Sequence, residues 1–221
     1  MLRWFKVVII RHSESEWNKL NKFTGWYNAP LTPKGIIDTY LLSKKLKLNK
    51  IYPDIIFTSK QVRALETTRI IRNELDLNDC EIIKTCYLNE RHYGNLTGYK
   101  KEYILKKYGQ QAIDWRTSYT IKPPIIPKLD ISIANYNYPF YEIINDGESI
   151  EMTYNRSKQT WDYIFELGKE KKVLVVSHSN TIKSLLKNTI DIDLKTFKLE
   201  NSQVIKFNYT NCLKRYKIEI I

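Results

Sequence analysis

Six short runs of mostly apolar, β-branched residues punctuate the chain, at 5–10, 54–58, 81–84, 173–177, 204–209 and 216–221. Each has the length and composition of a strand, and the last two flank "TNC" as a closing hairpin would. Between them the apolar period lengthens to that of helices. One helix is predicted from a Thr32 N-cap, with Pro33 at its first position, to about Lys47. A second follows Ser59, buries Val62, Leu65, Ile70 and Ile71, and ends near Leu75. A third covers 149–167 and stops at Gly168, and a fourth opens after His178 and reaches about Lys187.

Strands that alternate with helices and carry few polar residues predict an α/β fold, its mainly parallel sheet covered on both faces. No repeat or Gly/Ser linker interrupts residues 1–221, so a single domain is expected. The least regular stretch, 117–147, contains "KPPIIP" and "NYNYPFYEI" and reads as a long surface loop or lid.

With 43% hydrophobic and 27% charged residues, the composition is that of a folded globular protein. No apolar run approaches the roughly 18 residues of a membrane span. The first residues lack the apolar core of a signal peptide. Cys80, Cys86 and Cys212 are odd in number and lack C-x-x-C spacing, which fits a reduced, cytoplasmic protein. The net charge of +12 admits a nucleic-acid binder or an enzyme for anionic substrates. Runs such as "LSKKLKLNK" and "KKEYILKKYG" spread lysine along the chain, which favours solvated faces and leaves nucleic-acid binding a distant alternative.

The chain has three histidines, His12, His92 and His178, and two share one local grammar. "VVIIRH" and "VLVVSH" each present four strand residues, a polar residue and a histidine. Strand C-terminal ends in an open parallel sheet face the ligand crevice, so both imidazoles are expected at one rim. Metal binding would call for a His/Cys cluster or H-E-x-x-H, and a serine nucleophile for a G-x-S-x-G elbow; neither is present. A phosphate site fits better: Arg11 adjoins His12, and Arg63 lies in the first helical turn after the strand "DIIFTS". Guanidinium groups grip phosphate oxygens in pairs, and helix N-termini add N–H donors.

"RHSESEWN", "FTGWYNAPLTPKG", "TSKQVRALETT", "LNERHYGNLTG" and "VSHSNTIKSL", in that order, resemble the cofactor-dependent phosphoglycerate mutases of the histidine phosphatase superfamily. The resemblance runs from about residue 5 to the final strands. It implies a three-layer α/β/α fold around a mostly parallel sheet, and a phosphoryl group carried on His12. It further implies a phosphate pocket of Arg11, Arg63 and His178, with Glu90 as proton donor to the leaving oxygen. A carboxyl beside bound phosphate is held protonated by the neighbouring negative charge, which suits that role. Asn18, Thr24, Gly25, Tyr93, Lys101, Arg116 and Asn180 match substrate-contacting positions, and His92 takes a structural role. A small phosphorylated substrate, a homo-oligomer (dimer or tetramer), no metal, and 2,3-bisphosphoglycerate as phosphoryl primer for a mutase are implied likewise.

Three departures bear on the reaction. Serines stand where the family has glycine, at Ser13 and Ser179, and either crowd the pocket or donate to phosphate. Arg116 is followed by Thr117 where many mutases carry a second arginine. The sequence ends at "YKIEII" rather than in a tail that could cover the site and keep water from the phosphohistidine. These favour net phosphatase activity on small phosphomonoesters, with 2,3-bisphosphoglycerate-dependent interconversion of 3- and 2-phosphoglycerate in glycolysis as the alternative.

Overall fold

In the computed structural model, residues 5–127, 147–210 and 215–220 are described. The elements, in chain order, are β1 (Phe5–Arg11), α1 (Glu16–Lys19), α2 (Pro33–Leu48), β2 (Ile55–Ser59), α3 (Val62–Glu74), β3 (Glu81–Thr85), α4 (Lys101–Tyr108), α5 (Gln110–Thr117), α6 (Ile150–Leu167), β4 (Val173–Ser177), α7 (Ser179–Ile190), β5 (Val204–Thr210) and β6 (Arg215–Ile220). All six strands form one sheet in the order β3-β2-β4-β1-β5-β6. β3, β2, β4 and β1 run parallel, and β5 and β6 add antiparallel at one edge.

The alternation within each strand decides the layers, because successive side chains leave opposite faces of a sheet. Val7, Ile9, Ile55, Phe57, Val173 and Val175 pack on one face against Trp161 and Ile164 of α6 and Ile182, Leu185 and Leu186 of α7. Val8, Ile10, Ile56, Leu174 and Val176 pack on the other against Leu42 and Leu46 of α2 and Ala64 and Ile71 of α3. The result is the expected three-layer α/β/α arrangement. Burying each such aliphatic side chain contributes about 1.5–3 kcal/mol.

The Thr32 cap holds as expected, accepting the Gly35 N–H at the start of α2; Ser149, expected inside its helix, instead caps α6 by accepting the Met152 N–H. Gly168 ends α6 as expected, without a left-handed turn. Its φ is −61°, and a Cβ there would lie 2.6 Å from Cγ2 of Val7, so the glycine allows close approach of the helix end to β1. Helices α1, α4 and α5 were not expected. α4 and α5 bury little beyond Ile104 and Ala112, against Phe23, Tyr93 and Leu96, so their apolar stripe is too thin to stand out among lysines. Of the 117–147 stretch, residues 118–127 are irregular, and 128–146 lie outside the described residues.

Candidate active site

Register brings the two histidines together. β1 and β4 are parallel neighbours with Arg11 opposite Ser177, so the next residue of each strand, His12 and His178, emerges at the same level. The His12 N–H donates to the Ser177 carbonyl at 3.0 Å, and the two imidazole centroids lie 4.9 Å apart. β2, on the other side of β4, ends at Ser59, whose hydroxyl lies 2.6 Å from Nε2 of His178.

Two contacts set the tautomer of His12. Nδ1 lies 2.7 Å from the Ser13 carbonyl, which can only accept, so Nδ1 carries the proton. Nε2 then keeps its lone pair and accepts Nε–H of Arg63 at 3.2 Å. Burial, together with the charges of Arg63 and Arg11, holds His12 well below the ordinary histidine pKa, and burial does the same for His178. Both rings are therefore neutral at pH 7.

Arg63, fully buried at the start of α3, also donates to the carbonyls of Tyr27 (2.9 Å) and Gly25 (3.0 Å). Gly25 does not line the cavity beside His12. Its φ of +50° turns its carbonyl toward Arg63 and toward Nε2 of Gln61, and a Cβ would press on Thr97 and the Tyr93 backbone at 3.2 Å. Its carbonyl thereby helps to hold Arg63 and Gln61 beside His12.

The cavity measures about 320 Å³. Arg11, His12, Asn18, Thr24, Arg63, Glu90, Tyr93, Lys101, Arg116 and Asn180 line it as expected, and His178 packs against His12 beside it. Eight lining residues are Lys or Arg against two carboxylates, Glu90 and Glu200, a formal net of +6 and half of the chain's +12. The charge is thus gathered here rather than only spread along solvated faces. Burial and neighbouring cations lower Lys101 and Lys183 to about 8. Asn18 spends its amide oxygen on Ser15, leaving its NH₂ as a donor, and Tyr93 Oη accepts from Asn180, leaving its proton to donate.

Glu90 Oε1 accepts the N–H groups of Arg91 (2.8 Å) and Asn180 (3.1 Å). The loop that carries it is held by a pair absent from the sequence reading. Arg156 of α6 and Glu148 form a buried two-pronged ion pair, at 2.7 and 3.1 Å. The same guanidinium donates to the carbonyls of Cys86, Tyr87 and Asn89, and Glu148 accepts the His92 N–H. Nothing in the local sequence singles out either residue: Glu148 precedes the N-cap of α6 and Arg156 lies in its second turn. His92 is structural as expected: its Nδ1 accepts Gly94 N–H, and burial lowers it to about 4. Lys22, Lys183, Lys195, Lys198 and Glu200 on the wall were also unforeseen.

Ser13 does not enter the pocket. Its hydroxyl lies 2.6 Å from that of Ser202 and accepts from Thr39 at 2.7 Å, in a buried hydroxyl chain behind His12. Ser179 does line the cavity.

Paired neutral histidines at a parallel-strand rim, inside a cation-lined cavity, suit an enzyme that handles phosphate. The model of the histidine phosphatase superfamily (branch 1) matches residues 7–218, which places the chain in that class of enzymes. Among relatives named 2,3-bisphosphoglycerate-dependent phosphoglycerate mutase, the one from Buchnera aphidicola subsp. Cinara cedri is 36% identical, with 96% of each chain covered. The one from Neisseria gonorrhoeae is 36% identical, with 95% of this chain and 96% of its own length covered. The chain therefore belongs to the cofactor-dependent phosphoglycerate mutase family. Among solved structures, a phosphoglycerate mutase from Bacillus anthracis shares the fold at TM-score 0.75 and 20% identity, covering 100% of this chain and 93% of that one. A mycobacterial glucosyl-3-phosphoglycerate phosphatase shares it at TM-score 0.75 and 16% identity, covering 99% and 98%.

Proposed function

We propose that this chain is a 2,3-bisphosphoglycerate-dependent phosphoglycerate mutase, interconverting 3- and 2-phosphoglycerate through a phosphoryl group carried on His12. The observation that carries the chemistry is the state of His12: a neutral imidazole on the cavity wall whose Nε2 keeps its lone pair. When bound, 2,3-bisphosphoglycerate supplies the phosphoryl group that loads this residue. The site fits such an anion, because Nδ1 of His178 and Nε of Arg11 are buried without a hydrogen-bond partner among the described residues.

His12 Nε2 attacks phosphorus, the bond from phosphorus to the leaving oxygen breaks, and the Glu90 carboxyl gives that oxygen a proton. In the return step the Glu90 carboxylate takes the proton of the acceptor hydroxyl as that oxygen attacks the phosphohistidine. Arg11 and Arg63 offset charge on the transferring oxygens, and Asn18 and Tyr93 add donors. His178 lends its free ring nitrogen once Ser59 engages the other.

Mutation is better supported than net hydrolysis. Two relatives named as mutases are matched over 94–96% of their own length at 36–38% identity, whereas the phosphatase neighbour, at 16%, bears on the fold alone. Thr117 in place of an arginine is the feature that favours hydrolysis. An enolase-coupled assay run beside a phosphate-release assay tests the proposal. Interconversion should exceed release and depend on added 2,3-bisphosphoglycerate; release without interconversion would refute it. His12→Ala should abolish turnover and acid-labile phosphoryl labelling together.

A further inference from the structure

The cavity wall also carries cations to which the sequence motifs assign no role. Thr117 lines the cavity at the end of α5, but its hydroxyl donates to the Ile113 carbonyl of its own helix at 2.9 Å, so it offers a ligand neither charge nor donor. To the same cavity α7 contributes Lys183, and the 191–203 segment contributes Lys195 and Lys198. This segment is anchored. Leu194 and Leu199 are buried, Lys183 Nζ donates to the Phe197 carbonyl, Arg11 donates to that of Leu199, and Asn201 donates to that of His12 at 2.9 Å. An Asp193 side chain accepting from Lys195 N–H and Thr196 Oγ1 shapes the turn that presents Lys195. Lys195 and Lys198 are exposed at the mouth, and neither is in an ion pair among the described residues. Glu200 beside them faces Arg11.

We infer that Lys183, Lys195 and Lys198 form a second anion subsite that, with Arg116, takes the distal acidic group of a small phosphomonoester carrying a carboxylate or second phosphate. The inference deepens the proposed function and rests on it. The three lysines supply from α7 and the 191–203 segment the cation that Thr117 withholds from α5. A cavity of about 320 Å³ leaves room for such a second group beyond a phosphate at His12. Lys183 is lowered mainly by burial and further by the neighbouring Arg11 and Arg116, so an anion bound beside it would favour its charged form.

Calorimetric titration with 3-phosphoglycerate and with orthophosphate tests this on the full chain. Lys183→Gln and the double variant Lys195→Gln/Lys198→Gln should each weaken 3-phosphoglycerate binding by about ten- to a hundredfold. Orthophosphate binding should change less than about threefold, since it needs only the His12 end. Lys172→Gln/Lys206→Gln removes two charges beside a separate cavity at the other end of the sheet and should leave both ligands unaffected. Thr117→Arg in the double variant should restore binding of 3-phosphoglycerate. Unchanged 3-phosphoglycerate affinity, or an equal loss for orthophosphate, overturns the subsite. A wild type that binds through these lysines yet fails to interconvert phosphoglycerates would refute the mutase and leave the subsite standing.

Discussion

Nε–H of Arg63 donates to Nε2 of His12 at 3.2 Å, so the guanidinium sits on the lone pair that phosphorus must reach. The same guanidinium is tied to the carbonyls of Gly25 and Tyr27. Attack on phosphorus therefore requires this Nε–H to leave the lone pair, and the charged group stays beside the reacting atoms. The geometry also keeps the imidazole unprotonated, because a proton on Nε2 would face a fixed cation.

That arrangement has an acid cost. All three histidines have lowered pKa values, mainly through burial. Unfolded, each takes a proton below about pH 6.5, whereas the folded chain does not, so stability is present above that pH and is lost as pH falls toward the folded values. For His92, lowered to about 4, the loss amounts to about 3 kcal/mol over that window. Urea midpoints of wild type and His92→Gln, taken from pH 7 to pH 4, check this. The variant should lose about 1.4 kcal/mol less per pH unit, and parallel curves would contradict it.

The alkaline side should be set by lysine. Lys101 is lowered to about 8 by burial and by Arg116 and Arg11. It loses its charge as pH rises through that value, and its hold on an anion goes with it. KM for phosphoglycerate should rise by up to about tenfold between pH 8 and pH 9. Lys101→Arg, which stays charged, should flatten that rise. A KM constant to pH 9 in the wild type would exclude this role.

Breaking the Arg156–Glu148 pair strands a buried charge. Arg156→Met should cost about 3–5 kcal/mol, and adding Glu148→Leu should return much of it. The loop carrying Glu90 would lose its clamp, so transfer to or from a poor leaving group should fall more than hydrolysis of p-nitrophenyl phosphate. Equal losses for both substrates would reduce Arg156 to a stabilising role.

Ser13→Gly removes a hydroxyl from the chain joining Thr39 and Ser202. Stability should fall by about 1–2 kcal/mol, while kcat/KM changes less than about threefold, because this side chain faces away from the cavity. A tenfold change in kcat/KM would place Ser13 in contact with the reaction.

The strands and the four longer helices were legible because each buries a periodic apolar face, and the Thr32 cap marks the start of α2. α4 and α5 were not, since Ile104 and Ala112 are nearly their whole contribution to a core. Of the site, the residues within ordered motifs could be read. The motif marks Gly25, but only the fold shows that its carbonyl accepts from Arg63 and Gln61. Arg156, Glu148, Lys195 and Lys198 lie outside every motif, and Lys183, inside "VSHSNTIKSL", bears no mark there of the cavity it faces.

Sequence alone was enough to place one histidine and one polar neighbour at the end of each of two buried strands, because burial dictates where an apolar run must lie and which residue follows it. Only the tertiary structure decided that those strands are parallel neighbours in register, that Nε2 of His12 meets Arg63, and that half of the net charge faces one cavity. Those outcomes depend on contacts between residues far apart in the chain, whose partners are chosen by packing and not by their neighbours in sequence.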